Sequence, residues 1–157
     1  MLPRALRRVA YVGESCPGLI AEVLECREGS LGEARRLLLE KAKAPFVLNL
    51  DADTVVPAEY PLKAVRILQH DLQVGAVALN YRPKPQFHLA FGTSVWPAKL
   101  MRELYDWRNS GLDPPCECIY MWRRLTAAGR VLATLPLSAE HKRDMLSQHN
   151  QLERPEQ

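Results

Sequence analysis

The sequence predicts an α/β fold in which helices pack on a mostly parallel β-sheet. Two observations lead to this fold class. Short apolar runs typical of buried strands alternate along the chain with segments whose apolar residues have helical spacing. Turn-forming glycines and prolines separate these segments, and no internal repeat interrupts them. We therefore expect one three-layer α/β/α domain over residues 1–143, followed by a polar, flexible tail over residues 144–157.

The strands are predicted from six short apolar runs. They cover residues 8–13, 21–26, 46–50, 74–81, 91–96 and 130–135. Gly13 begins a turn after the first run, and two prolines follow the fourth. From the first, third and fourth runs, we expect residues 9–13, 46–50 and 74–79 to lie together in one sheet.

The helices are predicted from the segments between these runs. They cover residues 30–43, 57–70, 97–108 and 116–129. Ser30, with a Glu three residues later, has the spacing of a capping box. Ala64 and Leu68 give the second helix an apolar face, Pro97 can begin the third, and Gly129 can end the fourth.

The composition restricts the class of protein. Of the 157 residues, 47% are hydrophobic and 25% are charged, which is ordinary for a globular protein. The net charge of +3 suits a phosphorylated ligand but is too small to indicate nucleic-acid binding. No apolar run approaches the roughly 20 residues of a membrane span. The four cysteines have neither disulfide nor zinc spacing, so we expect a cytoplasmic protein with reduced thiols.

Two carboxylates, Asp51 and Asp53, directly follow the predicted strand over residues 46–50. Side chains two positions apart on an extended chain point the same way, so both carboxylates should converge where the strand ends. In open α/β sheets, ligands bind at the carboxyl ends of the strands. Paired carboxylates there suit a hard cation such as Mg²⁺ or Mn²⁺ and the phosphates that it carries. The alternative is a loop whose aspartates cap the following turn.

Six short motifs occur in order between residues 8 and 143. They are Gly13-Glu14-Ser15, Ala34-Arg35-Arg36, Asp51-Ala52-Asp53 with Pro57, Phe91-Gly92-Thr93-Ser94, Cys116-Glu117-Cys118 with Arg124-Leu125 and Gly129, and His141. This order resembles the GT-A glycosyltransferases, in particular the large inverting family 2. That family has Asp-Gly-Ser, Ala-Arg-Asn, Asp-x-Asp, a small-residue acceptor strand, Glu-Asp on a helix ending in Arg-Leu-x-x-x-Gly, and a late His. The stretch over residues 33–57 keeps the family's spacing best.

The resemblance implies a GT-A-like (Rossmann-like) fold and a metal-dependent glycosyltransferase. Such an enzyme transfers a sugar from a nucleoside diphosphate sugar to an acceptor hydroxyl, with inversion. The acceptor would be a glycan, a lipid or a protein. Mn²⁺ or Mg²⁺ would neutralise the charge that grows on the diphosphate as the bond breaks.

The resemblance also implies roles for individual residues. The implied metal ligands are Asp51, Asp53 and His141, the implied nucleotide-sugar contacts are Glu14, Arg35, Asp51 and Asp53, and the implied catalytic base is Glu117. Asp53 would be the direct metal ligand, whereas Asp51 could hold the ribose instead. Glu117 would take the proton of the acceptor hydroxyl.

Two positions differ from the family and keep a second hypothesis open. Glu14 stands where an Asp usually contacts the nucleotide base, and Cys118 stands where an Asp usually acts as catalytic base. A thiol with its ordinary pKa of about 8.5 is mostly protonated at neutral pH. The alternative is a GT-A-like module that binds a nucleotide or sugar without transferring it. In that case Glu117 could only stabilise the start of its helix through the helix dipole, and His141 could be a surface residue.

The family's opening strand–helix unit has no counterpart in this sequence. Without that unit, one edge of the sheet would have no partner strand, and unpaired edges invite pairing between chains. We therefore expect a homodimer.

Overall fold

The protein has a mixed α/β fold in the residues that the computed structural model describes, which are 7–12, 20–25, 31–51, 54–82, 89–106 and 116–141. The strands are β1 (Arg7–Val12), β2 (Ile20–Glu25), β3 (Phe46–Leu48), β4 (Thr54–Val55), β5 (Val74–Arg82), β6 (Val95–Pro97) and β7 (Val131–His141). The helices are α1 (Leu31–Lys41), α2 (Tyr60–His70), α3 (Ala98–Leu104) and α4 (Glu117–Ala127), and a 3₁₀ turn spans Phe91–Thr93. The α/β class is thereby confirmed.

Five strands form one open sheet in the order β3-β6-β5-β7-β4. Only β5 and β7 pair in parallel, and the other three pairs are antiparallel, so the prediction of a mostly parallel sheet is wrong. A parallel connection requires a long crossover, usually a helix. The described part of the connection from β5 to β6 contains only the 3₁₀ turn, and the chain returns beside β5 in the opposite direction.

The first two strands pair with each other in a separate antiparallel sheet. The prediction that residues 9–13 lie in the same sheet as residues 46–50 and 74–79 is therefore wrong. An apolar run indicates a strand but does not identify its neighbour, and β2 follows β1 closely enough in sequence to pair with it directly.

The carboxyl ends of β3, β5 and β7 nevertheless meet at one edge of the five-stranded sheet. Because β6 runs antiparallel to both of its neighbours, β3 and β5 point the same way, and β7 is parallel to β5. We call this edge the carboxyl edge. The ligand site was predicted at the carboxyl ends of the parallel strands. This location still applies, because β3, β5 and β7 share one direction even though β6 is antiparallel.

The side chains of β5 alternate between two cores, one on each face of the sheet. One core packs against α1, α3 and α4 and includes Leu39, Ala76, Ala78, Trp96, Met101, Tyr120 and Leu125. The other packs against α2 and includes Tyr60, Ala64, Leu68, Val77, Leu79 and Ala139. Helices therefore lie on both faces of the sheet. None of the helices in the described ranges is long and apolar enough to cross a bilayer.

Buried hydroxyls fix the 3₁₀ turn (Phe91–Thr93) against the end of β5. The Thr93 hydroxyl accepts a hydrogen bond from the Leu79 amide at 3.1 Å and donates to the Ala90 carbonyl at 2.9 Å. The Tyr60 hydroxyl donates to the Thr93 carbonyl at 2.5 Å, which ties α2 to the same turn. Because buried polar groups are costly without partners, these bonds specify where the turn lies. The 3₁₀ turn thereby places Gly92 at the carboxyl edge.

Candidate functional site

Arg35 joins two carboxylates at the carboxyl edge. Its Nη2 donates to Asp51 Oδ1 at 2.5 Å, and its Nε donates to Glu117 Oε1 at 3.2 Å. The partners lie 16 and 82 positions away in the sequence. The guanidinium carbon also lies 5.1 Å from the centre of the Phe91 ring, which is a cation–π distance. We call Arg35, Asp51, Glu117 and Tyr105 the Arg35 cluster.

Local structure accounts for the position of the first two members. Arg35 lies one helical turn before Leu39 on α1, so both side chains point toward the sheet and Arg35 is buried. Asp51 follows β3, where its amide donates to the Gly92 carbonyl at 3.3 Å and its carbonyl accepts from the Thr54 amide at 2.9 Å. These two bonds hold the Asp51 backbone between the 3₁₀ turn and β4.

Glu117 is buried at the first position of α4. The preceding Cys116 caps this helix, because its Sγ accepts a hydrogen bond from the Ile119 amide. Tyr105 donates to Glu117 Oε2 at 2.6 Å, so Arg35 and Tyr105 between them engage both carboxylate oxygens. Burial raises the pKa of Glu117 above its usual range, although the neighbouring Arg35 charge and the Tyr105 hydrogen bond oppose this shift.

The two carboxyl groups of the cluster keep the Arg35 guanidinium charged. Burial alone would lower the pKa of Arg35, but the Glu117 and Asp51 carboxylates raise it overall, so the guanidinium stays charged. The cluster combines two carboxyl groups with one guanidinium. The Asp51 side chain is 35% exposed, whereas those of Arg35 and Glu117 are nearly inaccessible. Asp51 is therefore the member of this ion-paired group that solvent reaches most readily.

Tyr81 and Gly92 belong to the same site, although sequence reasoning assigned no individual role to either of them. A Cβ atom added to Gly92 would overlap the Asp51 carboxylate and lie 3.0 Å from the Tyr81 hydroxyl. Burial, followed by the nearby Asp51 charge, raises the pKa of Tyr81. Tyr81 stands near the end of a predicted strand that points at the ligand edge, and this position was the available sequence signal.

Cys118 lies close to the cluster but is a poor base. Burial raises the pKa of its thiol to about 11, so the thiol is protonated at neutral pH. This finding agrees with the expectation, drawn from the sequence, that Cys118 cannot easily replace an aspartate.

The predicted metal ligands are only partly described. Asp53 and Glu14 lie outside the described residues, as does the side chain of His141. The backbone of His141 pairs with that of Thr54, which places the late His beside the residue that follows Asp53. Among the side chains that the structure does describe, no three His, Cys, Asp or Glu residues lie close enough to hold a metal. Carboxylates and an imidazole are ligands that a cation such as Mn²⁺ accepts, and Asp51 is the described side chain of this set that solvent reaches.

No family model and no curated protein sequence match this chain.

Replacing Gly92 with alanine should lower the free energy of unfolding by about 1–3 kcal/mol, the usual cost of overpacking. The added methyl would push the Asp51 carboxylate away from Arg35. In an Asp51→Ala background the cost of Gly92→Ala should fall by at least about 1 kcal/mol, because the space is then free. Urea unfolding of the wild type, the two single variants and the double variant measures this coupling.

The matched control is Gly129→Ala. Gly129 has a φ of 73° and no neighbour near the added methyl, so its cost comes from backbone strain alone. That cost should be the same in the wild type and in the Asp51→Ala background. Equal costs of Gly92→Ala in those two backgrounds would contradict the proposed contact.

Proposed function

We propose that the protein is a metal-dependent GT-A-type glycosyltransferase. It would transfer a sugar from a nucleoside diphosphate sugar to an acceptor hydroxyl, with inversion. The observation that carries the proposal is the Arg35 bridge between Asp51 and Glu117. The order of motifs assigns Arg35, Asp51 and Glu117 to one site. These three residues lie together at the carboxyl edge, where ligands bind in open α/β sheets.

The strand directions support a GT-A-like arrangement. The strand before Asp51 and the two strands β5 and β7 point to the same edge, and helices lie on both faces. The small-residue acceptor segment of the resemblance, Phe91-Gly92-Thr93-Ser94, forms the 3₁₀ turn and leads into the antiparallel β6. Ligands would therefore reach Asp51 and the end of β5 from one side.

Each residue of the site would have a different role. Arg35 would hold Asp51 in place, so that its exposed carboxylate can orient the ribose or the metal. Asp53 and His141 would be direct ligands of Mn²⁺ or Mg²⁺. The bound cation would supply positive charge to the diphosphate leaving group. Glu117 would take the acceptor proton if one of its two present hydrogen bonds were exchanged for the acceptor hydroxyl.

A second candidate is a nucleotide- or sugar-binding module without transferase activity. Two observations favour it. Both oxygens of Glu117 are engaged by the protein itself, and the neighbouring Cys118 thiol is protonated at neutral pH. Release of nucleoside diphosphate from a panel of nucleoside diphosphate sugars separates the candidates. Sugar-dependent release supports the transferase, and binding without release supports the module.

Mn²⁺ and a nucleoside diphosphate together should raise the melting temperature more than either alone. At a ligand concentration 100 times the Kd, binding stabilises the native state by about 2.7 kcal/mol. For a domain of this size, that free energy corresponds to roughly 5–10 °C. Asp53→Ala should remove most of this shift, because it removes a carboxylate that would bind the cation. Differential scanning fluorimetry measures the effect.

The control for this experiment is Glu103→Ala, which removes an exposed carboxylate from α3. It should keep the full ligand-dependent shift. An equal shift in wild type and Asp53→Ala would argue decisively against a metal site at Asp53.

A further inference from the structure

A cavity of about 270 Å³ lies at the carboxyl edge, where β5 and β7 end. Its lining residues are Arg82, the last residue of β5, and Pro136, Leu137, Ser138 and Glu140 of β7. None of them belongs to the Arg35 cluster. Pockets that enclose drug-sized ligands have volumes of roughly 300–1,000 Å³, so this cavity suits one small unit such as a sugar ring.

A bulge in β7 accompanies the cavity. The strand β5 advances two positions from Ala78 to Asn80. Its partner β7 advances four positions over the same stretch, from Thr134 to Ser138, and so has two extra residues. Pro136 lies in this segment and has no amide hydrogen to donate to the sheet. Bulges bend a strand and redirect its side chains, and they are frequent beside active sites.

The polar side chains of the cavity face the same side of the sheet as the Arg35 cluster. Tyr81 and Ala139 belong to the core that packs against α2. Neighbouring side chains in a strand point to opposite faces. Arg82, Ser138 and Glu140 therefore face the other side, where α1 and α4 carry the Arg35 cluster.

The polar groups of the cavity match sugar hydroxyls better than a phosphate. Arg82 Nε donates to Ser138 Oγ at 3.1 Å, and the guanidinium has further N–H groups that can donate. The Glu140 side chain has no ion pair or hydrogen bond with any residue in the described part of the chain. Adjacent sugar hydroxyls can accept from the guanidinium and donate to the carboxylate, whereas the carboxylate would repel a phosphate.

We propose that this cavity binds one sugar ring of a glycan acceptor, with Arg82 and Glu140 holding its hydroxyls. The Pro136 ring supplies an apolar contact for the C–H groups of the sugar. This role rests on the proposed function, and it selects a glycan from the three classes of acceptor that the resemblance leaves open.

Saturation-transfer difference NMR tests the cavity with the methyl glycosides of glucose, galactose, mannose and N-acetylglucosamine. At least one of them should bind the wild-type protein. Arg82→Met and Glu140→Gln should each weaken that binding about 10-fold, the usual loss for a hydrogen bond to a charged group. Both side chains are exposed, so the variants should fold normally. The controls Arg66→Met on α2 and Glu103→Gln on α3 make the same changes at exposed positions outside the cavity, and they should bind normally.

The thermal shift with Mn²⁺ and nucleoside diphosphate separates this proposal from the proposed function. A protein that shows the shift but binds none of the glycosides overturns the glycan site alone. Glycoside binding that Arg82→Met and Glu140→Gln leave unchanged has the same consequence. Glycoside binding without the shift overturns the acceptor role together with the metal-dependent transferase. Displacement of the glycoside by inorganic pyrophosphate, abolished in Arg82→Met, would assign the cavity to the diphosphate and overturn the glycan site.

Discussion

Replacing Arg35 with methionine should lower the free energy of unfolding by about 3–5 kcal/mol, the usual cost of breaking a buried ion pair from one side. Methionine can fill much of the space beside Leu39 and Phe91. It cannot donate to Glu117, which would remain buried with only the Tyr105 hydrogen bond described above. The midpoint and slope of urea unfolding at neutral pH measure the loss.

Two further variants show whether the loss comes from the uncompensated charge. Arg36→Met removes an exposed arginine from the neighbouring position of the same helix and should cost no more than about 0.5 kcal/mol. Arg35→Met combined with Glu117→Met removes both buried charges and should recover much of the lost stability. Similar losses in Arg35→Met and Arg36→Met would show that the bridge does not stabilise the fold.

If the protein is a transferase that uses Glu117 as its base, Glu117→Gln should lower turnover by about 10²–10⁴-fold. Glutamine keeps the length and shape of the side chain. Its oxygen can accept from Arg35, and its nitrogen can donate to the Tyr105 hydroxyl, so the surrounding geometry should survive. The thermal shift with Mn²⁺ and nucleoside diphosphate should therefore be retained while nucleoside diphosphate release is lost.

Cys118→Asp is the complementary variant. It places a carboxylate where the resembling family has its base, and it replaces a thiol whose pKa is too high for proton transfer at neutral pH. An enzyme that already uses Glu117 should gain little turnover from it, whereas a binding module could gain activity. Normal turnover in Glu117→Gln would remove Glu117 as the base and leave it as a structural partner of Arg35.

Several local signals in the sequence were informative, although the strand predicted over residues 91–96 is a 3₁₀ turn at Phe91–Thr93 and enters β6 only at Val95. The first helix begins at Leu31, directly after the predicted capping position, and Gly129 has the left-handed conformation expected at the end of α4. Of the strand predicted over residues 46–50, Phe46–Leu48 form β3, and the chain then leads into Asp51. The order of motifs also assigned Arg35, Asp51 and Glu117 to the same site.

Sheet pairing and the details of the site depend on contacts that no local pattern records. An apolar run has the same composition in a parallel and in an antiparallel strand, so the direction of β6 was not predictable from its residues. The strand β4 has two residues, which is too short for any periodicity. Gly92 carries no side chain, and its importance follows only from the carboxylate and hydroxyl that surround it.

The pairing of Thr54 with His141 has a consequence for the order in which the protein forms during synthesis. A ribosome adds about 5–20 residues per second, so the segment around Asp51 emerges seconds before α4 and β7. Until those elements arrive, Arg35 has no Glu117 to bind and β4 has no strand beside it. Pairing of residues that are distant in sequence also costs the most loop-closure entropy, and such pairs form slowly. If the protein binds a nucleotide as proposed, the nucleotide should therefore stabilise only chains that have already extended to His141, and it should have no effect on the folding of shorter nascent chains.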